Sequence, residues 1–131
     1  MDDTYNANPA SMIAGLQVLA GCPGRHLAIL GPMGELGATV AEGHRLVGST
    51  AKRLGLPLLV VAGRGALTGF EQFLIAGYGD GCLQATDREA AVGLARQRLA
   101  AGATTVLVKA SRSQALETVV NALCKPEGGA C

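Results

Sequence analysis

Short apolar runs alternate with amphipathic stretches along this chain. Leu27-Ala28-Ile29-Leu30, Leu58-Leu59-Val60-Val61-Ala62 and Thr104-Thr105-Val106-Leu107-Val108 are unbroken rather than alternating. Such runs predict strands covered on both faces, as in a parallel sheet between helices. Cys82-Leu83-Gln84-Ala85 predicts a shorter fourth strand.

The stretches between them have helical period. Residues 9–20 place Met12, Leu16 and Leu19 on one side, with Ile13 nearby. Asn8 suits the N-cap and Pro9 the first helical position, where a missing N–H costs nothing. Gly21 and Pro23 end this helix. Thr39-x-x-Glu42 predicts a capping box for a second helix, with Val40, Val47, Ala51 and Leu54 at helical spacing and Gly55 and Pro57 beyond it. A short third helix is expected over 66–75. A fourth opens at Thr86-x-x-Glu89 and buries Ala91, Leu94, Ala95 and Leu99. A fifth opens at Ser111-x-x-Gln114 and buries Leu116, Val119, Val120 and Leu123. Strands separated by helices pair in parallel through right-handed crossovers. The expected fold is α/β, a three-layer α/β/α Rossmann-like sandwich with a mostly parallel sheet.

Composition narrows the classes. At 131 residues, 49% hydrophobic and 16% charged, the chain has enough apolar material for one domain and too much for a disordered one. No apolar run reaches the roughly 18 residues of a membrane span, and no basic-then-apolar N-terminus suggests a signal peptide. Net charge is +1 with dispersed Lys and Arg, and Trp is absent, so neither a basic stripe nor a stacking platform for nucleic acid is expected. Cys22, Cys82, Cys124 and Cys131 form no C-x-x-C pair and read as reduced thiols.

Ligands of such sheets bind beyond the carboxyl ends of the strands. Residues 31–37, 63–69 and 109–113 occupy those positions. Gly31-Pro32-Met33-Gly34-Glu35-Leu36-Gly37 allows close backbone approach and carries one carboxylate, Glu35; it also suits a plain strand-to-helix connection. Gly63-Arg64-Gly65-Ala66-Leu67-Thr68-Gly69 departs from the dinucleotide fingerprint by one position in its last glycine and reads as a turn. Lys109-Ala110-Ser111-Arg112-Ser113 sets an ammonium, a guanidinium and two hydroxyls at a helix N-terminus, a combination suited to an anion or to a solvated cap. Asp3, Tyr5, Asn6 and Asn8 lie just ahead of the first helix, where a nucleotide or other anion is met, or where a helix is simply capped. There is no G-x-x-x-x-G-K-[ST] phosphate loop and no catalytic-metal spacing. With His26 and His44 the only histidines, no Ser–His–Asp arrangement is arguable, so no self-sufficient catalytic centre is expected.

Three of these motifs together carry a family likeness. Asp2-Asp3-Thr4-Tyr5-Asn6-Ala7-Asn8-Pro9, the Leu30, Gly31, Met33, Glu35, Leu36 and Gly37 loop, and Lys109-x-Ser111-Arg112-Ser113 resemble the Mur ligases, in particular those that add D-Ala-D-Ala. The resemblance implies a cytoplasmic three-domain enzyme of which this chain is the third domain. Residues 1–8 would be the hinge from a central ATPase domain, 9–125 the Rossmann-like C-terminal domain, and 126–131 a frayed tail; Met1 reads as a start placed on an internal fragment. The implied reaction joins D-Ala-D-Ala to UDP-MurNAc-tripeptide through an acyl phosphate. ATP and Mg²⁺ would be bound mainly by the central domain. Asp3, Tyr5, Asn6 and Asn8 would contact nucleotide; Glu35, His44, Lys109, Ser111 and Arg112 would contact the acceptor or phosphate. No residue of the chain itself is implied as catalytic or as a metal ligand. Pro32 stands where the family often has Asp, so any role of that Asp is not implied here; Ala110 stands where the family has Gly, a mild change unless the backbone there needs a positive φ. The other reading of the chain is a free-standing nucleotide-binding or interaction module.

Overall fold

The computed structural model describes residues 8–33, 39–61 and 69–109. In order they form α1 (Pro9–Gly21), β1 (Arg25–Leu30), α2 (Val40–Arg53), β2 (Leu58–Val61), α3 (Gly69–Tyr78), β3 (Leu83–Ala85), α4 (Arg88–Ala100) and β4 (Ala103–Lys109). The expected fifth helix, the 63–68 turn and the tail lie outside the described residues.

All strand pairs are parallel, in the order β3-β2-β1-β4. Ala28 pairs with Leu58 and Leu107, and Leu30 with Val60 and Lys109. Side-chain alternation then sorts the strands onto two cores. Ala28, Leu30, Leu58, Val60 and Leu107 meet Met12, Leu16 and Leu19 of α1, Val47 and Ala51 of α2, and Leu74 and Tyr78 of α3. Leu27, Ile29, Leu59, Val61, Val106 and Val108 meet Ala91 and Ala95 of α4. Helices thus cover both faces, which makes three layers. The placement follows from handedness: the chain steps β1 to β2 to β3 in one direction and returns past β1 to β4 in the other, so α4 must cross on the face opposite α2 and α3.

Local signals explain the boundaries, with some revisions. Asn8 Oδ1 accepts from Ser11 N–H at 2.9 Å and Ser11 Oγ accepts from Asn8 N–H at 3.2 Å, a reciprocal capping box. At α2 the expected box is not made: Thr39 is the N-cap, but it has φ −95° and ψ 11° and its side chain makes no cap bond. At α4 the cap falls one residue later than expected, with Asp87 Oδ1 accepting from Ala90 N–H at 2.7 Å. Leu94 and Leu99 are only partly buried. α3 continues past the expected end at 75 to Tyr78. Gly77 keeps helical geometry there because α2 and α3 cross at glycines. A Cβ on Gly48 would clash with the Leu74 carbonyl and sit 2.9 Å from Tyr78 N; one on Gly77 would clash with the Arg45 carbonyl and sit 2.8 Å from Arg45 Cα.

Candidate functional site

The order of the sheet reverses between β1 and β4, and ligands of open α/β sheets bind at that reversal, beyond the carboxyl ends. The backbone is drawn together there. Gly31 N–H donates to the Lys109 carbonyl at 3.0 Å, extending the β1–β4 ladder one residue past β1. Lys109 is the last residue of β4 and is 0% exposed. It shares parity with Leu107, so its stem turns toward α1, where a Cβ on Gly15 would lie 3.8 Å from Lys109 Cδ and 3.3 Å from a Leu107 methyl. Glycine at position 15 therefore lets α1 lie close on Leu107, with the Lys109 stem in ordinary contact beside it. Burying an ammonium is costly, which marks this strand end as something other than ordinary core.

α1 runs against the strands, so its N-terminus points to this same edge. Asn8 sits there, about 10 Å along the helix from Gly15, and its side-chain oxygen is committed to the cap.

His44 lies one turn into α2 and is 0% exposed. Its Nε2 accepts from Met33 N–H at 2.9 Å. A backbone N–H can only donate, so that nitrogen carries no proton, and Nδ1–H donates to the Val40 carbonyl at 2.6 Å. Burial pushes the imidazole below its ordinary 6.5, against the opposing Val40 bond and the charge of Glu71. The ring is thus neutral, and a direct ligand contact through either nitrogen, as expected from the family likeness, would require breaking one of these bonds.

Phe70 and Glu71, in the first turn of α3, complete the cluster. The Phe70 ring centroid is 5.7 Å from that of His44, and Glu71 is 0% exposed. A carboxylate in a helix's first turn is favoured by the free N–H groups there. Sequence reasoning missed Glu71, although Thr68-x-x-Glu71 spells a capping pattern. Of the expected site residues, Asn8, His44 and Lys109 are gathered at this edge. Asp3, Tyr5, Asn6, Glu35, Ser111 and Arg112 lie outside the described residues.

The amino edge of the sheet differs in kind. A cleft of about 320 Å³ there is lined by Arg25, His26, Gly55, Pro57 and Arg98, among others. Arg25 Nη1 donates to the Ala101 carbonyl at 3.0 Å and His26 Nε2 lies 2.6 Å from the Cys22 carbonyl. These contacts serve helix C-termini, whose partial negative charge favours cations.

A parallel sheet with helices on both faces defines a Rossmann-like domain, here with buried polar groups at the reversal point of the sheet. Residues 1–112 match the model of the "Mur ligase, glutamate ligase domain" family, and the chain belongs to that family. It is 37% identical over 132 residues to the UDP-N-acetylmuramoyl-tripeptide–D-alanyl-D-alanine ligase of Escherichia coli K12, covering 100% of this chain and 27% of that enzyme. The same-named enzyme of Mycobacterium bovis is 37% identical over 143 residues, covering 94% of this chain and 28% of its own length. Among solved structures, MurF from Acinetobacter baumannii superposes with a TM-score of 0.79 at 27% identity over 92% of this chain and 26% of that one. MurF from Thermotoga maritima in complex with ADP does so with 0.74 at 26% identity, over 91% and 26%. The chain thus spans about a quarter of the length of these relatives.

Proposed function

We propose that this chain is the C-terminal domain of an ATP-dependent ligase that adds D-Ala-D-Ala to UDP-MurNAc-tripeptide during peptidoglycan synthesis. The observation that carries the reading is the match along the whole chain to the E. coli ligase of that name, at 37% identity. The three motifs at residues 2–9, 30–37 and 109–113 support it, since they fall on the N-terminal lead into α1 and on the ends of β1 and β4.

In the proposed reaction a tripeptide carboxylate oxygen attacks the γ-phosphorus of ATP, releasing ADP and leaving an acyl phosphate. The amine of D-Ala-D-Ala then attacks the acyl carbon; phosphate leaves, and the attacking nitrogen gives up one of its two protons to base and keeps the other as the amide N–H. The chain has no phosphate loop, and among the described residues no three His, Cys, Asp or Glu side chains converge to hold a metal ion. The described residues therefore do not form a Mg²⁺ centre, and on this reading ATP and Mg²⁺ are held mainly by the central domain. The T. maritima neighbour with ADP supports nucleotide as a ligand of the full enzyme. On this reading Asp3, Tyr5, Asn6 and Asn8 face the nucleotide, and Glu35, Lys109, Ser111 and Arg112 face the dipeptide or the transferred phosphate. Residues 1–8 form the hinge from a central ATPase domain, and closure about it assembles the site. On this reading the enzyme works in the cytoplasm, where a UDP-linked substrate would be made; among the described residues no helix is long and apolar enough to cross a membrane.

The test is phosphate release by the full-length enzyme with Mg-ATP, UDP-MurNAc-tripeptide and D-Ala-D-Ala. Turnover that requires all three, and is absent when L-Ala-L-Ala replaces the dipeptide, is the expected result. Turnover with a single amino acid instead of the dipeptide would reject the assignment. The isolated chain is expected to show none.

A further inference from the structure

Among the described helices α1 is the one without a charged side chain: from Pro9 to Gly21 its polar side chains are Ser11 and Gln17 alone. A helix apolar on every side ordinarily belongs where it is covered all round. Met12, Leu16 and Leu19 take the sheet. Ala10, Ala14, Gln17 and Gly21 form the opposite stripe, with Val18 beside it, and all five are exposed. Val18 is 57% exposed, and a Cβ on Gly21 would meet nothing within 4 Å. The other helices are dressed in charge. Arg45 and Lys52 are exposed on α2, as are Arg96 and Arg98 on α4. Arg45 and Lys52 also stand 5.0 Å over the Phe73 and Tyr78 rings of α3.

Size and attachment say what covers this face. A helix of 13 residues offers a stripe roughly 20 Å by 10 Å, about 200 Å². A stable complex between separate molecules buries about 800 Å² on each partner, so the stripe alone is too small to join two copies of the chain. A tethered partner needs far less, because the tether holds it at an effective concentration of about millimolar. The chain spans about a quarter of its relatives' length, so on the ligase reading the rest of the enzyme hangs from residues 1–8, directly ahead of α1. The stripe looks away from the sheet, whereas the carboxyl edge looks out along the strands, about a right angle away. A domain swinging about that hinge meets the edge in one position and the flank of α1 in the other.

We propose that the outer face of α1 is the surface on which the central domain of the same enzyme rests when the enzyme is open. The inference rests on the ligase reading above. Closure over the substrates lifts the domain off this face and brings it to the carboxyl edge, so the apolar stripe is covered in one state and bare in the other.

The experiment is maleimide labelling of Ala14→Cys and Val18→Cys in the full-length enzyme, with Gln97→Cys on α4, across the sheet, as the exposed control. Peptide mass spectrometry separates the new thiols from the native ones, and each variant is first assayed for dipeptide-dependent turnover. Without substrates, positions 14 and 18 should react at least about 10-fold more slowly than position 97, as a face covered about nine-tenths of the time requires. With Mg-ADP, phosphate and D-Ala-D-Ala present, the rates should come within about threefold of one another. Equal rates at all three positions in both conditions would overturn the proposal. Slow labelling that ligands leave unchanged would overturn it as a fixed contact, and slow labelling lost on dilution would replace it with a contact between copies. Any of these in enzyme that turns over the dipeptide leaves the ligase reading intact; wild-type enzyme without dipeptide-dependent turnover would overturn that reading and this inference with it.

Discussion

The two edges of the sheet use polar residues in opposite ways. At the carboxyl edge His44, Glu71 and Lys109 are each fully buried. At the amino edge Arg25 and Arg98 are exposed around an open cleft, and Arg25 donates to the carbonyl of Ala101, the C-cap of α4. Exposed cations at helix C-termini need no further explanation; they satisfy carbonyls and complement the dipole. Buried polar groups carry a desolvation cost and persist where structure or function requires them. On the proposed reading the carboxyl edge is the working edge, and it is the edge where the molecule tolerates the costlier arrangement.

The largest predicted effect breaks the support of that edge. Gly77→Ala would drive a methyl group into the Arg45 backbone, which cannot yield as a side-chain tip can. The overpacking should cost about 3 kcal/mol by urea denaturation, well beyond the roughly 1 kcal/mol gained in helix propensity. A variant as stable as wild type would mean that α2 and α3 are not held this closely beside His44.

Acid should sharpen the comparison next. The folded-state pKa of His44 lies below its unfolded value of 6.5, so between the two the unfolded chain binds more protons. Stability should therefore fall as pH drops from 6.5 toward the depressed native value, and be constant in this respect above 6.5. Denaturation midpoints from pH 7.5 to 5 should show the loss in wild type and less of it in His44→Gln; identical slopes would remove His44 as the cause.

The amino edge should be far more tolerant. Arg25→Ala removes one exposed capping bond and should cost about 0.5 kcal/mol, with no change in ligase KM values. Smallest of all in its structural consequence is Cys82, whose thiol burial pushes up to about 11 from 9.0. At pH 8 its thiolate fraction is about 100-fold below that of an unperturbed thiol, so iodoacetamide labelling followed by peptide mass spectrometry should find it slow to react in the folded chain and fast in urea.

Much of the fold was legible because its signals are local. Unbroken runs at Leu27 and Leu58 named buried strands, and Asn8-Pro9 named a helix start. Revisions came where local patterns compete or tertiary contact decides. Thr86-x-x-Glu89 resembles a box, but Asp87, one residue on, is the cap that bonds. The third helix was expected to end at 75, yet it runs on through Gly77, where the Arg45 backbone leaves no room for a side chain. Strand order was not legible, since periodicity says which residues face inward but not which strands are neighbours. The same limit applies to the site. Motifs singled out Lys109 and His44, but the burial of Lys109 beneath Gly15, the double bonding of His44 and the approach of Glu71 from another helix are all products of tertiary packing.

Hydrogen exchange on the full-length enzyme, with and without substrates, tests the contrast between the two edges most directly. With Mg-ADP, phosphate and D-Ala-D-Ala present, protection should rise in peptides spanning residues 30–45 and 105–113 and stay unchanged in those covering 24–26 and 98–102. Protection confined to the amino edge, or equal at both edges, would contradict the assignment of the carboxyl edge as the place where this domain meets its ligands.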